Sequence, residues 1–409
     1  MAKHHKNTTQ RWSTPQWMLA IGLAVFAIAT LAGLVVQWPH SSEEPKVTPA
    51  YQNSGYAGPL TSGEVLFTRA AKCGATEIGV TSEAIPEDKN PFAEKHCTQV
   101  IVRLTDGADE GKYTALESRH MPGEPELHEG DSIKLIHSHG TYAFQDYDRT
   151  GPLWAWVLAT IVLIIAVGRW RGLRALVGLA ITMVMILAFL LPALLRGGSP
   201  LWLAVTTAAT VILLVVFLVH GVNWKSAAAM GGSLVAVAIA TALSGLAIDS
   251  TSLRGLGDES NLQILLYLPE LDITGLMLAG MIIGALGVLN DATIAQASTI
   301  TELKRAEPDA SAWQLFRNAM RVGEDHIASM VYTLVLGYAG VAIPMMLLLS
   351  ISGRPIEQVL TSDVMATELL RSVTGAIALL LAIPLTTAIA AVTADPNSRD
   401  SGHAHIHSH

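Results

Sequence analysis

The sequence predicts an all-α polytopic membrane bundle of about eight transmembrane helices with an inserted extracytoplasmic domain, a small β-barrel or sandwich. Three observations predict it. Hydrophobic residues make up 51% of the 409-residue chain and charged residues only 15%, against about 25% in an ordinary soluble domain. Mean hydropathy is +0.41. The charge is concentrated in residues 38–150. Elsewhere, apolar runs of about the 20 residues needed to cross a hydrocarbon core recur at 17–37, 152–168, 174–195, 200–220, 226–248, 272–291, 327–350 and 370–392.

The net charge of −8 therefore describes loops and one soluble domain, and it argues against a nucleic-acid partner. The lipid bilayer is the expected partner. There is no G-x-x-x-x-G-K-[ST], so the chain carries no ATP-binding motif of its own.

Residues 1–16 form a short N-terminal tail. The run 17–37 is too long for a cleaved signal segment and lacks the small-residue cleavage site, so it reads as an uncleaved anchor. Residues 38–60 are a Pro- and Ser-containing linker. Residues 61–150 are the β domain. In "TQVIVRL", Val100, Val102 and Leu104 share one face. "DSIKLIHSH" repeats the alternation with Ile133 and Leu135, and "TYAFQDY" follows. Gly130-Asp131, just before a strand, fits a tight turn. Residues 151–392 form a membrane domain of about seven helices, and 393–409 a His-rich tail.

Orientation follows from Lys and Arg in short loops. With the N-terminus inside, the inner side carries Lys3, Lys6, Arg11, Arg169, Arg171, Arg174, Lys225, Lys304, Arg305, Arg317, Arg321 and Arg399, twelve in all. The outer loops carry four: Arg196, Arg254, Arg354 and Arg371. This puts both termini inside and residues 38–150 outside. The two cysteines, Cys73 and Cys97, then face an oxidising compartment and are expected to pair. Such a loop would stabilise the domain by about 3 kcal/mol. Two free thiols are the alternative.

The polar residues nearest the membrane are the candidates for function. "GVLNDATIAQASTITEL" (287–303) leaves an apolar run through Asn290, Asp291, Gln296, Ser298 and Glu302. At 100° per residue, Asp291, Ser298 and Glu302 fall within about 40° of one another. The next run opens "RVGEDHIASMVYTL" (321–334), with Asp325, His326, Ser329 and Thr333. The segment between starts a helix at Ser311, and its Trp313, Leu315, Phe316 and Met320 suit a short interfacial amphipathic helix. Two spans joined by one loop bring Asp291, Glu302, Asp325 and His326 close, an arrangement for a hard cation, a proton relay or, with the imidazole, a transition metal. In the other reading residues 292–325 have left the bilayer and Asp325 caps a span.

Gly280 and Gly284 form a G-x-x-x-G that extends to Gly287, and Pro344 and Pro384 each follow Ala-Ile within a span. Small residues allow close helix approach and suit a homodimer; a Pro permits a kink. His403, His405, His407 and His409 alternate at the C-terminus, and His4 and His5 sit near the N-terminus, a pattern that chelates divalent metal weakly. His120, His128, His137 and His139 read as ordinary surface residues. No cofactor is required; a divalent metal ion is the one expected.

The stretches 287–303 and "GEDHIASMVYTLVLGYAGVAIP" resemble the two signatures of the YibE/F-like family of bacterial integral membrane proteins. "YAFQDYDR" (142–149) is similar to its junction between outer domain and membrane, and "ELLRSVTGAIALLLAIPLTTAIAA" (368–391) to its last span. The resemblance covers roughly residues 95–392. It implies a permease-like protein of the bacterial cell membrane with an extracytoplasmic β domain, and Asn290, Asp291, Gln296, Ser298, Glu302, Asp325, His326, Ser329 and Thr333 as motif positions. Tyr332 stands where the family has an amide.

The expected function is a secondary transporter for a cation, a divalent metal first, with a site at the inner ends of spans six and seven. No span contains Cys, which excludes thiolate coordination there. The alternative is a non-transporting scaffold or assembly factor whose β domain binds a partner. No enzymatic activity is expected, since the aspartates do not resemble a protease pair.

Overall fold

The computed structural model describes residues 12–40, 47–52, 54, 57–74, 77–86, 96–138 and 140–394. His4, His5, His139 and the four C-terminal histidines lie outside them. The chain divides into two compact units, 47–166 and 1–46 with 167–409.

In the first unit, β1 (Leu60–Ala71), β2 (Cys97–Leu104), β3 (Tyr113–Ser118), β4 (Ser132–Ser138) and β5 (Thr141–Tyr147) form one antiparallel sheet in the order β3-β2-β1-β4-β5. The sheet curls around a core of Val65, Val100, Val102, Leu104, Leu116, Ile133, Leu135 and Tyr142. The expected alternation thus points inward. Gly79 closes the curl: its N–H donates to Ala115 O on β3, and its carbonyl accepts from Tyr142 N on β5. Its φ of +76° and an ideal Cβ only 2.6 Å from Tyr142 O leave room for glycine alone. Cys73, just past β1, is bonded to Cys97 at the start of β2, with Cα atoms 5.2 Å apart. Gly130 makes the predicted turn, pairing with Val65 O.

Among the described residues, seven helices are long and apolar enough to cross a membrane. They are α1 (Thr14–Val36), α2 (Thr150–Leu195), α3 (Pro200–His220), α4 (Trp224–Thr251), α5 (Ile273–Ala306), α6 (Ala312–Ile351) and α7 (Asp363–Thr393). The runs expected at 152–168 and 174–195 are two helices that meet at a kink at Arg169 (φ 49°, ψ −131°) within the 46-residue stretch α2.

The second unit is organised around α4, α5 and α7. Ala- and Gly-rich faces let them approach: Ala228, Ala229, Ala297, Ala390 and Ala391 pack with Ile300, Leu315 and Ala319. Gly232 lies directly against Thr386, with no space for a Cβ. Trp12, Trp17 and Trp224 cluster at this end of the bundle, and the Gln16 side-chain amide donates to Thr393 O.

The stretch 287–303 is helical as expected: α5 runs on past Asp291 to Ala306, and α4 and α7 cover one face of its polar half. One boundary expectation is corrected. Ser311 starts a helix as expected, with a capping box to Gln314, but that helix is α6 itself, continuous to Ile351. There is no separate interfacial helix. Pro344 and Pro384 lie inside unbroken helices.

Candidate functional site

Helix α5 has two polar faces, and only one is buried. On the buried face Asn290, Thr293 and Gln296 recur every three residues. Thr293 donates its hydroxyl to Asn290 O at 2.9 Å, so Ser233 of α4, 2.6 Å away, donates to Thr293. Gln296 Oε1 lies 3.0 Å from the Thr387 hydroxyl of α7, whose single proton it shares with Ile383 O at 2.6 Å. Gly323 of α6 closes over this amide: an ideal Cβ there would sit 2.7 Å from Gln296 Nε2. Ser233, Thr293, Gln296, Thr386 and Thr387 are all essentially inaccessible to solvent. The result is a seam of neutral oxygens between α4, α5, α6 and α7.

Stability does not account for this seam. An interhelical hydrogen bond in a membrane protein contributes about 0.6 kcal/mol. A buried polar atom without a partner costs about 1–3 kcal/mol. Asn290 Oδ1, Thr386 Oγ1 and Ser226 Oγ are buried without a partner among the described residues. Apolar side chains of equal volume would stabilise the bundle better.

The other face of α5 carries Asp291 and Glu302 in the open and Ser298 half-buried. Glu302 pairs with Arg305 at 2.8 Å on the same helix. On α6, Asp325, His326, Ser329 and Thr333 are exposed, and Thr333 donates only to Ser329 O. The expected convergence of Asp291, Glu302, Asp325 and His326 does not occur within the chain. Among the described residues, the one group of three or more His, Cys, Asp or Glu ligand atoms within 4.8 Å is Cys73, Cys97 and Glu117, and its two sulfurs are bonded to each other. Nor does Asp325 cap a helix: the cap of α6 is Ser311.

The helix rise sets the level of these groups. At 1.5 Å per residue, Asp291 is about 20 Å from Lys304 at one end of α5. It is about 10 Å from Gly284, which sits against the Tyr338 hydroxyl. Arg371, paired with Glu368, lies over the Tyr338 ring at 5.7 Å. The Lys304 and Arg371 levels are thus about 30 Å apart along α5, and Asp291 and the seam fall between them.

Sequence reading missed Ser233, Gly323, Thr386 and Thr387. The available signal was the run of uncharged hydroxyls and glycines inside apolar spans, "GGS" at 231–233 and "TT" at 386–387. In the β domain, His120 contacts Thr98 Oγ1 at 2.9 Å, His137 stacks on Tyr142, and His128 lies near Asp131.

A helical membrane bundle with an uncharged polar seam, joined to a small β domain, defines an integral membrane protein of the multi-pass class. The chain belongs to the YibE/F-like protein family, whose profile matches residues 156–396. That span takes in both signatures and the last helix, but not the Tyr142–Arg149 junction or the β domain, where the resemblance was expected to begin near residue 95. No curated protein and no solved structure matches the chain.

Proposed function

We propose that the chain is a secondary transporter for a cation, with a divalent metal ion as the first candidate cargo. The observation that carries this reading is the seam, in which Asn290 Oδ1 and Thr386 Oγ1 are buried without a partner beside the Ser233–Thr293 and Gln296–Thr387 bonds. Neutral hydroxyl and amide oxygens replace the hydration shell of a hard cation or carry a proton, without trapping either as a ring of carboxylates would. Asp291, at a similar level on the opposite side of α5, supplies a carboxylate at membrane depth.

The Trp224 end, with Lys225, Lys304 and Arg305, is the cytoplasmic end in this reading. The β domain is then extracytoplasmic, which agrees with its disulfide. The membrane is the bacterial cytoplasmic membrane, and no catalytic step is involved.

A second reading, a scaffold whose β domain binds a partner, is favoured by one observation. A groove of about 380 Å³ lies on that domain, lined by Thr98, His120, Glu124 and His128. Proteoliposome flux separates the two. Transport predicts that Gln296→Leu and Asn290→Leu each slow cation uptake by about tenfold or more while the protein remains folded. Scaffolding predicts no uptake by the parent protein, and loss of cellular function only when residues 47–149 are deleted.

A further inference from the structure

We infer that the outward face of α6 is a contact surface for a second copy of this chain. At 100° per residue, Leu315, Ala319, Gly323 and Leu334 lie on one side of α6 and are buried. Arg321, Asp325 and Tyr332 lie on the opposite side, with Ser329 at its edge, and all four are exposed. Asp325 is about 21 Å along the helix from Ser311 and about 39 Å from Ile351, a third of the way along α6.

α6 is also poorly covered by the other helices of its own unit. It buries five of its 40 residues, whereas α4 buries thirteen of 28 and α7 thirteen of 31. Among the described residues, Arg321 and Asp325 have no hydrogen-bond or ion-pair partner for their side chains.

Charge assigns the occupant. Arg321 and Asp325 stand one helical turn apart on the same face, so the face is complementary to itself. Two copies inserted in the same orientation pair about an axis along the membrane normal, and equal levels meet. An arginine side chain spans the one-turn rise of about 6 Å, so Arg321 of each copy reaches Asp325 of the other. Ala328 and Ser329 leave room for the two backbones to approach. The pairing gives Asp325 the partner that its own chain does not supply, and it does not depend on the transport reading.

The test uses the full-length protein in lipid vesicles. Cys73 and Cys97 are bonded to each other, so an introduced thiol has no competitor among native cysteines. Oxidation of Ser329→Cys is expected to give a species of twice the 43.5 kDa chain mass. Leu246→Cys, on an exposed position of α4, is expected to stay monomeric. Arg321→Asp and Asp325→Arg should each weaken dimerisation by about tenfold or more. The double exchange should return it to near the parent value. Equal cross-linking at both cysteines, an adduct to a different protein in place of the dimer, or failure of the double exchange to rescue would overturn the proposal.

Discussion

Gln296 of α5 and Thr387 of α7 are joined by a 3.0 Å hydrogen bond with Gly323 of α6 against the amide. One side chain thereby fixes the spacing of three helices at a point with almost no solvent access.

The first prediction follows from that spacing. Gly323→Val places atoms where Gln296 Nε2 and Ile383 Cγ2 already lie, 2.7 and 3.0 Å from an ideal Cβ. Overpacking of this kind costs about 1–3 kcal/mol. The variant should unfold at lower denaturant than the parent in detergent, whereas Gly340→Val, at an open position on the same helix, should not. Equal midpoints would show that the helices do not meet at Gly323.

The disulfide gives a second. Cys73→Ser with Cys97→Ser releases a loop with a sequence separation of 24 between the ends of two paired strands. The β domain should lose about 3 kcal/mol, read as faster hydrogen exchange in β1 and β2 with the exchange of α4, α5 and α7 unchanged.

A third concerns acid. The Thr150 hydroxyl and N–H, then Lys134, hold the Asp148 carboxyl down to about 2, from an ordinary value of 3.8. A depressed carboxyl stabilises the fold above its unfolded pKa, and that stability is lost as pH falls through the folded one. Asp148→Asn should therefore open the β4 end more readily at pH 7. The difference from the parent should shrink between about pH 4 and pH 2 and vanish below. Hydrogen exchange of residues 132–147 across that range measures it, and a difference that persisted at lower pH would contradict this assignment.

Much of the fold was legible because spans and strands follow simple periodicities. The apolar runs locate all seven long helices, and the alternation in Val100–Leu104 and Ile133–Leu135 finds β2 and β4. β1 was not legible: "LTSGEVLFTRAA" carries a Gly, a Glu and an Arg that only its two neighbouring strands make tolerable. The site was half legible. Composition flagged the stretch 287–303, and charge drew attention to Asp291 and Glu302. Burial selects the other face, Asn290, Thr293 and Gln296, because α4 and α7 cover it with hydroxyls that look like ordinary helix residues in sequence.

The central claim is that the seam carries a cation, and uptake by proteoliposomes tests it most directly. Vesicles with the parent protein, an outside divalent ion such as Mn²⁺ and an internal metal-sensitive dye should fill faster than empty vesicles. Gln296→Leu should slow filling by about tenfold or more, while its unfolding midpoint stays close to the parent's, since the lost interhelical bond contributes only about 0.6 kcal/mol. Filling by the parent no faster than by empty vesicles, or equal filling by parent and Gln296→Leu, would contradict the account.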